Sequence, residues 1–484
     1  MKKMSVILLS ILLLCGCGQF ISEHSEIKQE SIDRLFKSGE YGNAESLIKL
    51  KLATEKLTKS LEYDLRMQLE VMERIKKDFP LDDSTVIAQI KEYYPDVTPE
   101  ELLAWERSGA LECMMIDGRK KYFRSAAKNL FRISKEAQSK YEAIRGRQSD
   151  GLDLFLSGYI PQVVKAAKRE WAERGGMVMP VKMKIKYSIT VPAGEVPEGE
   201  IIRVWMPYPR DNAKHKEIKL LSTSQPDYII SPESYGHKSI YMEQPSRGES
   251  QTCFGYELSY TSYNVFFDIK PDEIKPYNKE SQLYRKYTGE RETHIIFSDR
   301  IRRLTDSIVA EEQNPYLKCV RIFDYISQNY PWASAREYST IENIPEYVLD
   351  NKHGDCGEVT LLFLTMARYA GIPAKWQSGW MMHPGEVNLH DWGEVYFEGL
   401  GWVPVDQSFG PVRGSDNDNV LHFYTRGMDG YRFIVNDDFS ADFYPAKIYP
   451  RSETVDFQRG EVEWRGENLY FDRWRYNMEV EYIQ

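Results

Sequence analysis

The fold of this chain is decided by the stretch His353-Gly354-Asp355-Cys356-Gly357-Glu358-Val359-Thr360-Leu361-Leu362-Phe363-Leu364-Thr365-Met366-Ala367-Arg368-Tyr369-Ala370-Gly371-Ile372-Pro373. Its middle is apolar on nearly every side, which predicts a buried central helix. Asp355 can cap the start of that helix, and Glu358 three residues later completes a capping box. Gly371 suits the left-handed residue that ends a helix. The pattern therefore places Cys356 on the first turn of a buried helix.

The predicted position of Cys356 favours a reactive thiolate. The helix dipole and the unpaired N–H groups of the first turn favour negative charge, so we expect the pKa of the thiol to be lowered. The same N–H groups can stabilise an oxyanion when the thiolate attacks a carbonyl. The charge of Asp355 opposes thiolate formation, but we expect an imidazolium partner to outweigh it.

That partner is predicted in a downstream hairpin. His390-Asp391-Trp392 is followed by a strand-like run, a Gly399-Leu400-Gly401 turn and a second run, Trp402-Val403-Pro404-Val405-Asp406. Antiparallel pairing across this turn brings His390, at the start of one strand, close to Asp406, at the end of the other. A carboxylate beside an imidazole fixes its tautomer and stabilises the imidazolium. We therefore predict Cys356 as nucleophile, His390 as base and Asp406 as the residue that orients it.

The blocks around Cys356, Gly371-Ile372-Pro373-Ala374, His390 and Asp406 together resemble the transglutaminase-like superfamily. The resemblance covers about residues 285–450. It implies a papain-like thiol fold, the Cys356–His390–Asp406 triad, and acyl transfer or hydrolysis at amide bonds without a cofactor. One departure is Asp391, where a small residue is common in the family. We expect this second carboxylate to raise the pKa of His390 and weaken it as a base.

An oxyanion donor other than the Cys356 N–H is less clearly marked. Tyr330 and Trp332 precede the helix near the place where the family has an aromatic donor, and Tyr330 is preferred; a core or rim aromatic is the alternative. A zinc site built from His353, Cys356, His383 and His390 is a further alternative, but Asp406 would have no role in it. An inert core thiol is the remaining alternative. No metal and no cofactor is expected.

The first residues resemble a bacterial lipoprotein signal. Lys2 and Lys3 precede an apolar run, Val6 to Leu14, which is too short to span a bilayer. Leu14-Cys15-Gly16-Cys17 then resembles a lipobox. The resemblance implies that residues 1–16 are removed and that Cys17 carries acyl chains. It places the protein in the cell envelope, on the outer membrane or on a periplasmic or surface face. An ordinary cleaved signal is the alternative.

The periodicity predicts a multidomain α+β protein. Residues 17–30 are polar and predict a tether, and 31–177 have helical spacing with a capping box at Thr98. Alternation from Val181 to Val191 and in later runs predicts an antiparallel β-sandwich over 178–272. The papain-like core covers 285–450, and 451–484 form a strand extension. The N-terminal helical domain is expected to be a spacer or docking surface.

Composition limits the function classes. The chain has 484 residues, 42% of them hydrophobic, and a net charge of -10. Its acidic residues are scattered and no basic patch is present, which argues against a nucleic-acid partner. Cys113, Cys253, Cys319 and Cys356 are too far apart for a disulfide scaffold, although one bridge among the first three stays open.

The sequence therefore predicts a membrane-anchored thiol enzyme acting on peptide or isopeptide amides of a peptide or protein substrate. Hydrolysis is preferred to transfer, because nothing marks an amine-binding site. The alternative is a scaffold or binding lipoprotein that retains the fold.

Overall fold

The computed structural model describes residues 27–146, 150–174 and 176–483. The predicted signal peptide, Cys17 and most of the predicted tether lie outside the described residues. The mixed α+β architecture predicted from the sequence is confirmed, with a helical N-terminal region followed by several antiparallel sheets.

The N-terminal region is a helical domain with its own apolar core. The Thr98 capping box is present, since Thr98 accepts from the Glu101 N–H and Glu101 accepts from the Thr98 N–H. The elements in chain order are α1 (Gln29–Lys37), α2 (Tyr41–Thr54), α3 (Lys59–Asp78), α4 (Asp83–Tyr93), α5 (Pro99–Arg107), β1 (Cys113–Ile116), β2 (Arg119–Tyr122), α6 (Ala126–Ile133), α7 (Lys135–Arg145) and α8 (Gly151–Arg174).

The helical domain also contains the β1–β2 hairpin, which the helical spacing did not predict. Its turn is Asp117-Gly118, with φ angles of 47° and 76°. Positive φ at both central residues is the geometry of a two-residue hairpin turn, for which Asp-Gly is a preferred sequence. The apolar spacing of the surrounding helices hid this local turn signal.

The next region is a sandwich of two five-stranded sheets around a second apolar core. Its strands are β3 (Met177–Val191), β4 (Ile201–Pro207), β5 (His215–Thr223), β6 (Ile229–Ile230), β7 (Ser239–Pro245) and β8 (Thr252–Phe266). The strand β3 alternates Lys182, Lys184 and Lys186 with the buried residues Met183, Ile185 and Tyr187, as expected for a strand with one exposed face.

The third region places the helix of Cys356 against a four-stranded sheet of order β11-β10-β9-β13. Its elements are α9 (Gln282–Thr288), α10 (Asp299–Val309), α11 (Pro315–Asn329), α12 (Ile344–Asn351), α13 (Cys356–Tyr369), β9 (Ala374–His383), β10 (Glu386–Phe397), β11 (Gly401–Val405), α14 (Asp418–Leu421), β12 (Gly427–Met428) and β13 (Arg432–Asn436).

The C-terminal strands return to the sandwich. They are β14 (Glu461–Trp464), β15 (Asn468–Leu469) and β16 (Arg475–Ile483). β14 pairs with β4, and β16 pairs with β3 along nine residue pairs. The tail therefore completes both sheets of the sandwich. In the part of the chain described, no helix combines the length and the apolar character needed to cross a membrane.

Candidate active site

The predicted helix start at Cys356 is confirmed. The Asp355 side chain accepts from the Glu358 N–H at 3.1 Å, and Glu358 accepts from the Asp355 N–H at 3.0 Å. Gly371 follows the helix with a φ of +80°. Nearly all of α13 is buried, whereas Cys356 itself is only half-buried. The thiol is thus held at the accessible end of a central helix.

The thiol contacts Asp391. Sγ of Cys356 donates to Oδ2 of Asp391 at 3.4 Å. Within the described residues, no hydrogen bond joins Sγ to His390, the partner that the sequence predicted for it. Consecutive strand residues point to opposite faces, and Oδ2 of Asp391 lies 2.8 Å from where a Cβ on Gly357 would be. Asp391 is therefore the β10 residue turned toward the start of α13.

Further polar groups fix the Asp391 carboxyl. The Tyr338 hydroxyl lies 2.7 Å from Oδ1 of Asp355 and 3.3 Å from Oδ2 of Asp391. The Gln458 amide donates to Oδ1 of Asp391 at 2.6 Å. Both Tyr338 and Gln458 lie outside the motif around Cys356, and no sequence pattern predicted that either would contact Asp391.

This environment reverses the expected pKa of the thiol. Burial raises the pKa of Cys356 well above its usual value, and the charges of Asp391 and Asp355 raise it further. Burial also raises the pKa of Asp391, again with a contribution from the charge of Asp355. The expected lowering by the helix start is wrong for this arrangement, because the neighbour of the thiol is a carboxyl rather than an imidazolium.

The structure brings His390 and Asp406 together. Nε2 of His390 lies 2.8 Å from Oδ2 of Asp406, and both side chains are buried. Gly393 pairs with Val405 across the predicted hairpin. β10 begins at Glu386, so His390 lies inside the strand and not at its start as predicted. The strand is longer because β9 pairs with it from Glu386 onward.

The protonation of this pair suits a base. Burial lowers the pKa of His390, so the predicted rise caused by Asp391 is wrong. Burial would raise the pKa of Asp406, but the charges of His390 and Arg432 outweigh it, and the pKa is lowered. Since ionised Asp406 can only accept, neutral His390 donates from Nε2–H and leaves the lone pair on Nδ1. Among the described residues, the His390 ring hydrogen-bonds through Nε2 alone.

Arg432 holds Asp406 from the other side. Its Nη1 lies 2.7 Å from the same Oδ2 of Asp406 that binds His390. Its Nε and Nη2 donate to Oδ2 of Asp429 at 3.1 and 2.8 Å. Arg432, Asp406 and Asp429 are all fully buried. Sequence reasoning missed Arg432 and Asp429, which lie around the start of β13 without a motif.

The other candidate residues have separate positions. Tyr330 is buried, with its ring centroid 6.2 Å from that of Tyr325. Trp332, the less favoured candidate, bridges Gly354 two residues before the thiol. His383 lies 2.9 Å from Asp429, and neither ring nitrogen of buried His353 has a hydrogen-bond partner. Across residues 27–146, 150–174 and 176–483, no three His, Cys, Asp or Glu side chains are grouped to hold a metal.

The four described cysteines Cys113, Cys253, Cys319 and Cys356 are all free thiols, so the bridge that the sequence left open among the first three is not formed.

A family model and two curated proteins resemble parts of this chain. Residues 302–407, which include Cys356, His390 and Asp406, match the model of the transglutaminase-like superfamily. YebA of Bacillus subtilis is 26% identical over 216 residues, which are 40% of this chain and 28% of YebA. An uncharacterized Haemophilus influenzae protein is 22% identical over 310 residues, 55% of this chain and 80% of that protein. This chain thus spans less than a third of YebA.

A solved structure resembles the chain at lower identity. It is a candidate cysteine protease from Cytophaga hutchinsonii, 14% identical, with a TM-score of 0.42. The alignment covers 64% of this chain and 92% of that one. The family match confirms the resemblance drawn from the four sequence blocks.

Proposed function

For a chain with a transglutaminase-like core at residues 302–407, we propose the function of a membrane-anchored thiol enzyme that hydrolyses, or transfers, peptide or isopeptide acyl groups. Cys356 is the nucleophile, His390 the base and Asp406 the residue that orients it. The observation that carries the proposal is the buried His390–Asp406 pair, 2.8 Å apart, in the same family segment as a thiol at a helix start. Anchoring rests on the lipobox ending at Cys17.

The reaction begins with a change of partner for the thiol. Because His390 lies on the face of β10 opposite Asp391, the proposed reaction needs a movement of β10 that turns His390 toward Sγ. Sγ then leaves Asp391 and gives its proton to Nδ1 of His390, while Asp406 stabilises the imidazolium. The thiolate attacks the acyl carbon, and the resulting oxyanion is stabilised by N–H groups at the start of α13. The imidazolium protonates the leaving amine as the C–N bond breaks, which leaves a thioester on Cys356.

Deacylation uses the same groups in reverse. Nδ1 of His390 takes a proton from water, the hydroxide oxygen attacks the thioester, and the carboxylic acid leaves as the thiolate is regenerated. An amine in place of water gives transfer. Water is the proposed acceptor, because no amine-binding site is marked in the sequence.

A peptide mixture with and without dansylcadaverine tests this function. The wild type is expected to generate new peptide termini, and Cys356→Ser to generate none. Asp406→Asn should retain part of the activity, since the amide can still hold the ring but cannot stabilise imidazolium. Dansyl incorporation without new termini would assign transfer in place of hydrolysis. If the wild type forms neither new termini nor dansylated peptide, the proposed enzymatic function is wrong.

The second candidate is a binding lipoprotein that retains the fold. The observation in its favour is the hydrogen bond of the thiol to Asp391, which keeps the thiol protonated and away from His390. This candidate predicts that Cys356→Ser changes neither peptide binding nor any product, which the same experiment measures.

A further inference from the structure

An exposed aromatic ring stands beside the thiol site. Trp332 bridges Gly354 in parallel, and the Ala333 N–H donates to the Gly354 carbonyl at 3.1 Å. Bridged residues are about 5 Å apart and consecutive Cα atoms 3.8 Å, so the Trp332 backbone lies within about 12 Å of Cys356. Trp332 is nevertheless 46% exposed. A large indole left in solvent at the edge of a candidate active site is available to a ligand.

The helical domain places a guanidinium on this ring. Cζ of Arg132 lies 4.6 Å from the centroid of Trp332. The position of α6 is fixed by Asn129, whose side chain accepts from the Ser334 N–H and donates to the Ser334 carbonyl, each at 2.9 Å. The N-terminal domain thus contributes a side chain to the rim of the site, a role the sequence did not assign.

The cation on this rim has no counter-charge. No carboxylate lies within ion-pair distance of Arg132 among the described residues, nor of Lys128 one turn earlier on the exposed side of α6. Elsewhere in this chain of net charge -10, several arginines are paired with carboxylates, as Arg459 is with Glu337 at 2.6 Å. Nη1 of Arg132 donates to Oγ of Ser334 at 3.4 Å, and the remaining N–H groups of a guanidinium stacked on an aromatic ring are available to a carboxylate.

We infer that Arg132 and Trp332 form a substrate subsite for a peptide residue that carries a carboxylate. The guanidinium edge binds the carboxylate, and the indole packs against the aliphatic part of the same residue or its neighbour. The subsite rests on the proposed function, and it names acidic peptides as the preferred substrate class.

Paired peptide probes test the subsite. Each probe is a tetrapeptide chloromethyl ketone with one Glu placed at each position in turn, and its control has Gln at that position. Labelling of Cys356 is followed by mass spectrometry. In the wild type, one Glu probe should label at least about tenfold faster than its Gln control, since a charged hydrogen bond contributes about 1.5 kcal/mol or more.

Three variants separate the subsite from a general charge effect. Arg132→Gln should bring the Glu/Gln ratio to about one while leaving labelling by the Gln probe unchanged, and Arg132→Lys should keep part of the preference. Arg66→Gln removes the same charge from an exposed site on α3, paired with Glu62, and should leave the ratio unaltered. Added salt should lower the ratio in the wild type and in Arg66→Gln, and should leave it near one in Arg132→Gln.

Failure of the proposed enzymatic function and failure of the subsite are distinguished by measuring how the same peptides, as free acids, bind to Cys356→Ser. If the peptides bind in an Arg132-dependent way but the probes do not label the wild type, the proposed enzymatic function is overturned and the subsite is supported. An equal Glu/Gln ratio in wild type and Arg132→Gln, or peptides that neither label nor bind, would overturn the subsite.

Discussion

Replacing Asp391 with Asn should make Cys356 more reactive. The carboxyl oxygen that accepts from the thiol is 3.4 Å from Sγ, and its charge disfavours the thiolate. An amide of the same shape can still accept from Gln458 and can donate an N–H toward sulfur. The substitution thus exchanges a repelling charge for a hydrogen-bond donor while leaving the packing unchanged.

The distance sets the size of the effect. Two unit charges 3.4 Å apart interact by about 5 kcal/mol at an effective dielectric constant of about 20. At about 1.4 kcal/mol per pH unit, this equals about 3.6 units of thiol pKa. The full value is an upper bound, because the raised pKa of Asp391 keeps part of its population neutral. We expect the thiol pKa to fall by about one to three units.

Iodoacetamide labelling as a function of pH measures this shift. A lower thiol pKa increases the thiolate fraction at neutral pH, so the labelling curve should move to lower pH and the rate at pH 7 should rise at least about tenfold. The experiment uses a Cys253→Ser background, since Cys253 is exposed, and peptide mapping to identify Cys356. Asp472→Asn, at an exposed residue paired with Lys77, is the matched control and should not move the curve.

Slower labelling of Asp391→Asn would refute this reasoning. It would mean that the carboxylate takes the thiol proton and acts as a base, so that its loss leaves the thiol without an acceptor. An unchanged curve would mean that the thiol contacts another group in solution.

Three further predictions concern the anchor, the packing of the site and its charge network. Cys17→Ala should leave the protein unacylated and out of the membrane fraction, and unchanged partitioning would exclude the lipoprotein. A Cβ at Gly357 would lie 2.2 Å from the hydroxyl oxygen of Tyr338. Gly357→Ala should therefore lower the free energy of unfolding, measured in urea, by about 1–3 kcal/mol. A variant as stable as the wild type would show that the Tyr338 hydroxyl has room to move. Arg432→Met combined with Asp429→Asn removes the cation that lowers the pKa of His390, so the imidazole titration in NMR should move to higher pH, whereas an unmoved titration would contradict the assigned network.

The sequence predicted the parts of the site that depend on neighbours along the chain. The Asp355–Glu358 box, the helix from Cys356 and the hairpin carrying His390 and Asp406 all follow from short-range rules of capping, periodicity and turn geometry. These rules also contain the signal that was missed at Asp117-Gly118. Local reasoning therefore recovered the core of the fold.

What the sequence could not provide is the choice of face and the long-range partners. His390 and Asp391 are adjacent on β10, and only the packing of α13 decides which of them meets the thiol. Because side chains alternate along a strand, His390 and Asp391 point to opposite faces of β10. The motif alone does not say which of these faces meets the thiol. Arg432 and Gln458 reach the site from segments joined to it only by tertiary pairing.

The central claim is tested most directly by intact-mass measurement of the acyl-enzyme. A peptide p-nitrophenyl ester is mixed with wild type, Cys356→Ser and His390→Ala, and the protein is quenched in acid within seconds. The account predicts one acyl group on Cys356 of the wild type, released with time, and none on either variant. An acyl group formed on Cys356 of His390→Ala at the wild-type rate would contradict it.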